Sequence, residues 1–131
     1  MNEHYQTVKD YLLELGYTIT HEDSTDGIIV VSQEEDGISN LILYVADPIL
    51  IMEQTIFELK NLKADILQAL LMKNRDIIFG AFALDESGKR VIFRDTLALE
   101  NLDLNELEGS INSLSLLLSE FTDEIIEYSK A

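Results

Sequence analysis

The sequence predicts an α+β fold, an antiparallel sheet of about five to six strands with helices at the N-terminus, in the middle and at the C-terminus. Three observations carry this reading. Asp26-Gly27 and Asp36-Gly37 each stand between short runs rich in β-branched residues, a strong short-range hairpin signal. Asp85-Glu86-Ser87-Gly88 joins a further pair of such runs. Apolar residues at helical spacing recur in separate segments near the start, the middle and the end of the chain.

Taken in order, residues 2–15 set Tyr5, Val8, Leu12 and Leu15 on one helical stripe, with Glu3, Gln6, Lys9, Asp10 and Glu14 elsewhere, and Gly16 acts as a C-terminal stop. Strands are expected at Tyr17–His21, Ile28–Gln33 and Ile38–Ala46, separated by Thr25-Asp26-Gly27 and Glu35-Asp36-Gly37. Asp47-Pro48 interrupts the chain, and Ile49–Leu59 resumes it with residues that favour another strand. Leu62–Met72 reads as a second helix, with Leu62, Ile66, Leu67, Leu70 and Leu71 at helical spacing. Ile77–Leu84 and Arg90–Leu99 read as a strand hairpin in which Gly80 is a small residue on a packed strand.

Asp103, followed three residues on by Glu106, has the form of a capping box. Leu104, Leu107, Ile111, Leu114, Leu118, Phe121, Ile125 and Tyr128 then recur every three or four residues. The result is a long amphipathic helix, about 40 Å if unbroken. Leu116 and Ile126 fall off its buried stripe, either as lone exposed residues or as part of a second contact surface.

Composition bounds the function. With 131 residues, 47% of them hydrophobic, one proline and six glycines, the chain is expected to fold as one domain over 1–131. A formal charge of −16 repels polyphosphate and argues against nucleic acid or an anionic membrane as partner. The charge is uneven: residues 1–59 hold twelve acids and one base, 60–94 four acids and seven bases, and 95–131 nine acids and one base. The basic stretch of Lys60, Lys63, Lys73, Arg75, Lys89, Arg90 and Arg94 is expected to neutralise acidic neighbours in the fold, or else to orient a protein partner. The sequence has no cysteine, which excludes disulfides and thiol chemistry. The first fifteen residues have no apolar run of the signal-peptide kind, and Leu41–Ala46 falls far short of the roughly 20 residues of a membrane span, so the expected compartment is the cytoplasm.

Catalytic patterns are not evident. His4 and His21 sit in no nucleophile or metal motif. With Gly27 as the glycine of a calcium loop, Glu22, Ser24 and Asp26 take the first ligand positions, but Gln33 stands where a bidentate Glu is required. Glu34-Glu35-Asp36 reads as a solvated hairpin tip. Neither a phosphate-binding glycine loop nor a nucleophile elbow is present. No enzyme activity, metal or cofactor is expected.

Leu41-Ile42-Leu43-Tyr44-Val45 and Ile49-Leu50-Ile51-Met52 are apolar on both faces of the pleat, whereas a sheet covered on one side should alternate. Either these strands are covered twice within the chain, or one face is covered by another chain. The second option implies a dimer or a bound protein segment.

The element order, together with Ile66-Leu67-Gln68-Ala69-Leu70-Leu71-Met72-Lys73-Asn74, Gly80-Ala81-Phe82-Ala83-Leu84-Asp85 with Gly88, Val91-Ile92-Phe93-Arg94, and Leu97, Leu99-Glu100 and Leu102, resembles the YbjN-like family. That family is related in fold to the class I type III secretion chaperones. The resemblance implies a small acidic homodimer that holds an extended client segment without consuming nucleotide.

The expected function is therefore that of a non-enzymatic protein-binding module, chaperone-like or adaptor, acting as a homodimer on a client protein segment. Partner contacts are expected at Ile42, Tyr44, Ile51, Met52 and Leu116. The alternative is a regulatory sensor domain that binds a small molecule between sheet and helices. A hydrolase working with carboxylates alone would need two acids facing one another in a pocket.

Overall fold

The computed structural model describes residues 3–131. The stripe of Tyr5, Val8 and Leu12 becomes the buried face of α1 (Glu3–Glu14). Tyr17 N–H bonds to Leu12 O and Gly16 N–H to Leu13 O, both at 3.1 Å, the paired bonds that close a helix at a glycine. Four strands follow, β1 (Thr18–Asp23), β2 (Ile28–Gln33), β3 (Ile38–Ala46) and β4 (Ile49–Glu58), with one turn of 3-10 helix at Glu34–Asp36. Then come α2 (Ala64–Asn74), β5 (Ala81–Leu84), β6 (Arg90–Ala98) and α3 (Leu104–Lys130).

All neighbouring strands are antiparallel, in the order β1-β2-β3-β4-β6-β5. Side chains alternate across a pleated strand. Ile29, Val31, Leu41, Leu43, Leu50, Met52 and Phe93 therefore share one face and pack in one core with Val8 and Leu12 of α1, Leu70 of α2, and Leu107, Ile111 and Leu114 of α3. Two polar side chains hold this layer in register. Buried Gln54 accepts from Ser39 N–H (3.0 Å) and donates to Gly37 O (3.1 Å), and buried Ser110 of α3 donates to Asp95 Oδ2 of β6 at 2.5 Å.

The start of α3 is the one foreseen. Asp103 is extended and its Oδ1 accepts from Glu106 N–H at 2.7 Å. Removing that acceptor leaves a first-turn N–H without its partner, so Asp103→Ala is expected to lower stability by about 1 kcal/mol. Urea unfolding should show a lower midpoint at unchanged slope.

Two expectations are corrected. The fifth strand starts at Ala81, not Ile77, because Ile77–Gly80 docks on α3: Phe79 N–H donates to Ser113 Oγ (3.4 Å) and Ser113 Oγ donates to Phe79 O (2.8 Å). Gly80 lies before the strand at φ +85°. The second helix begins two residues later than its apolar spacing suggested, leaving Leu62 exposed. Of the seven cations in residues 60–94, Arg90 alone forms ion pairs within 4 Å among the described residues, to Asp85 (3.3 Å) and Glu58 (3.9 Å).

Candidate functional site: the outer face of the sheet

The helices bury one face of the sheet, and the register shows what the other presents. One row across the strands runs Ile28, Tyr44, Ile51, Thr96, and the next runs Val30, Ile42, Glu53, Arg94, Ala81. Ile42 is 45% exposed and Tyr44 43% exposed although they sit at the centre of the sheet. A face with several aliphatic and aromatic side chains open to water in adjoining strands is the kind of surface that binds another chain.

The face is concave. A hollow of about 700 Å³ is lined by Ile28, Ile42, Tyr44, Ile51 and Glu53, together with Tyr5, Val45 and the Ser24–Gly27 turn. Two further hollows, about 460 and 440 Å³, continue over Ile92, Arg90 and Asp85, and Glu53 lines all three. The surface is thus one trough, apolar over β2–β4 and charged where β6 meets the β5–β6 turn. At the apolar end, burial above all, and then the charge of Glu22, holds the Tyr5 phenol above its usual pKa, so it remains a neutral donor to Ile28 O at 3.3 Å. At the charged end, the hydrogen bond from Ser87 and then that from Arg90 hold the Asp85 carboxyl below its usual pKa and keep it ionised. No group of three or more acids and histidines capable of holding a metal occurs among the described residues. No described helix is long and apolar enough to cross a membrane.

The residues expected to contact a partner divide. Ile42, Tyr44 and Ile51 come together on the outer face. Met52 does not: its neighbour Ile51 points outward, so Met52 points inward, where it is fully buried opposite Leu43 and Asp95. Partner contact at Met52 is corrected on that ground. Leu116 is 56% exposed on α3, beside Ile78 and Phe79 around a separate hollow of about 270 Å³ that shares no residue with the trough. Ile28, Val30 and Glu53, which the expectation did not name, share that outer face. The outward set follows from period-two alternation once the register of β2, β3 and β4 is known.

Solved structures share this architecture. A chain of the HopA1-SchA chaperone-effector complex superposes with TM-score 0.64 at 15% identity, covering 98% of this chain and 94% of that one. A chain of the ExoU-SpcU complex from the type III secretion system of Pseudomonas aeruginosa gives 0.67 at 15% identity, covering 86% and 93%. YbjN from E. coli gives 0.68 at 12% identity, covering 91% of each chain. At these identities the likeness is one of fold. A comparison with curated proteins finds no match. The CesT_Tir_1 family model matches residues 1–131, the whole sequence, and the chain therefore belongs to that family of type III chaperones.

Proposed function

We propose that this chain is a non-enzymatic, chaperone-like or adaptor module that works as a homodimer and holds an apolar segment of a client protein in the outer trough of its sheet. The observation that carries the reading is the set of Ile28, Val30, Ile42, Tyr44 and Ile51, drawn from three adjoining strands onto a concave face that no helix of the chain closes over at Ile42 and Tyr44. An aliphatic client side chain transferred from water into such a hollow gains about 1.5–3 kcal/mol if fully buried, so several anchors acting together are needed to offset the cost of association. Family membership supports the reading, as does the fold shared with chains from two complexes of a chaperone or secretion kind. For self-pairing, α2 offers exposed Leu71 and Met72, with Leu62 just before it.

The sensor alternative needs space between sheet and helices. That layer is filled instead by Leu43, Met52, Phe93, Leu107, Ile111 and Leu114, each at most 1% exposed.

The test is affinity capture of the tagged protein from its own cells after brief crosslinking, with mass spectrometry of what is retained. One stoichiometric protein partner is expected, lost with Tyr44→Asp while circular dichroism stays native, and sedimentation equilibrium at micromolar concentration should show a dimer. Recovery of the chain alone would remove the client from the reading, and a monomer at all concentrations would remove the dimer.

A further inference from the structure

β1 and β5 are the edges of the sheet, and an edge strand offers unpaired N–H and C=O groups to any other strand. β1 is blunted by an irregularity between Ile19 and His21 and by the polar run His21, Glu22, Asp23. β5 has neither device: Ala81-Phe82-Ala83-Leu84 is uncharged and regularly paired. The hairpin fixes which of its groups point outward. Asp85 N–H bonds to Arg90 O, so alternation turns the main chain of Ala83 and Ala81 toward β6 and that of Leu84 and Phe82 away from it.

Both outward groups of Phe82 end on a single side chain. Phe82 N–H donates to Asn74 Oδ1 at 2.7 Å, and Asn74 Nδ2 donates to Phe82 O at 3.1 Å. A carboxamide carries the same donor and acceptor as a peptide group. Asn74, the last residue of α2, therefore stands where a residue of a neighbouring strand would stand. Beside it Leu67, Leu70, Leu71, Phe82 and Leu84 line an apolar hollow of about 200 Å³ that would reinforce any strand laid there. The edge most open to strand addition is thus the one closed by a side chain.

We propose that Asn74 is an edge guard: its amide occupies the outward main-chain groups of Phe82 and closes β5 to strand addition, by a second copy of this chain or by any extended segment. The inference stands apart from the client reading, because what Asn74 occupies is the outward main chain of Phe82, a residue that lines none of the trough's hollows. Nor does it make Asn74 a binding residue; its role is exclusion.

The experiment uses the full chain with Asn74→Ala, and with Asn74→Ser, too short to reach both groups, in case the alanine variant does not fold. Hydrogen exchange followed by NMR reads the Phe82 amide, and sedimentation velocity over a wide concentration range reads association. The Phe82 amide is expected to be protected in the wild type and to exchange about tenfold faster in the variant, relative to amides of β3 and β4. The variant is also expected to associate beyond the wild-type state. Asp103→Ala, destabilised at a distant helix cap, is expected to keep the wild-type association state. Unchanged Phe82 exchange, faster exchange without added association, or equal association by Asp103→Ala would each overturn the proposal.

Discussion

Gly80→Ala is expected to lower stability by about 2–5 kcal/mol, although it adds one methyl group. Two effects combine. Gly80 holds φ +85°, a conformation that L side chains rarely adopt and that costs roughly 1–2 kcal/mol for a residue with a Cβ. The new Cβ would also stand 2.4 Å from Phe93 Cζ, 2.8 Å from Cε1 and 3.0 Å from Arg94 O. Phe93 is fully buried in the core on β6, and a close-packed interior gives its ring little room to move, so part of the strain passes to the backbone. Gly88→Ala separates the two effects, because Gly88 sits at φ +71° and a Cβ added there would meet no atom within 4 Å. It should lose only the backbone contribution. In a double-mutant cycle, Phe93→Leu removes the ring atoms in conflict and should recover part of the Gly80→Ala loss; additive losses would show that the contact with Phe93 is not its cause.

The fate of Gly80 also marks where sequence reasoning stops. Ile77-Ile78-Phe79 has strong strand propensity, and nothing local argues against a strand. The competing interaction is tertiary, the two hydrogen bonds to Ser113 on a helix 34 residues away, which take the main-chain groups of Phe79 that a ladder would have used. Elements set by local chemistry were legible. Ile28–Gln33 and Ile38–Ala46 emerge with the expected bounds because an Asp-Gly turn stands immediately before each of them, and the cap at Asp103 is where the Asp103/Glu106 spacing put it.

The candidate site was legible in part, for a related reason. An apolar run such as Ile49-Leu50-Ile51-Met52 shows that two faces are hydrophobic but not which one the helices cover. That choice depends on the pairing of β4 with β3 and β6 and on the packing of α3 behind them. Tyr44 and Ile42 were therefore identifiable as unusual, whereas Met52 was indistinguishable from them. The link between Asn74 and Phe82 was illegible altogether, since a side chain bonded to a strand edge has no periodic signature.

Met52→Asp is expected to abolish cooperative folding, and Ile51→Asp to leave it nearly intact. Met52 is fully buried, and its place in the register faces Leu43 on one side and Asp95 on the other. The substitution removes a core side chain, worth about 2–5 kcal/mol, and buries a carboxylate with no cation beside it, a further several kcal/mol. It also sets that carboxylate opposite Asp95, which already accepts the Ser110 hydroxyl at 2.5 Å under α3. The total approaches or exceeds the roughly 5–15 kcal/mol by which a domain is stable. Ile51 is one residue away but half-buried on the outer face, where water solvates a charge and the loss should stay within about 1 kcal/mol. Far-ultraviolet circular dichroism through a urea titration compares the two variants directly. Ile51→Asp should then fail in client capture despite its native unfolding curve, because a charge in the trough opposes entry of an apolar segment. If instead Ile51→Asp unfolded and Met52→Asp did not, the inner and outer faces of β4 would be exchanged, and the trough could not be the client site.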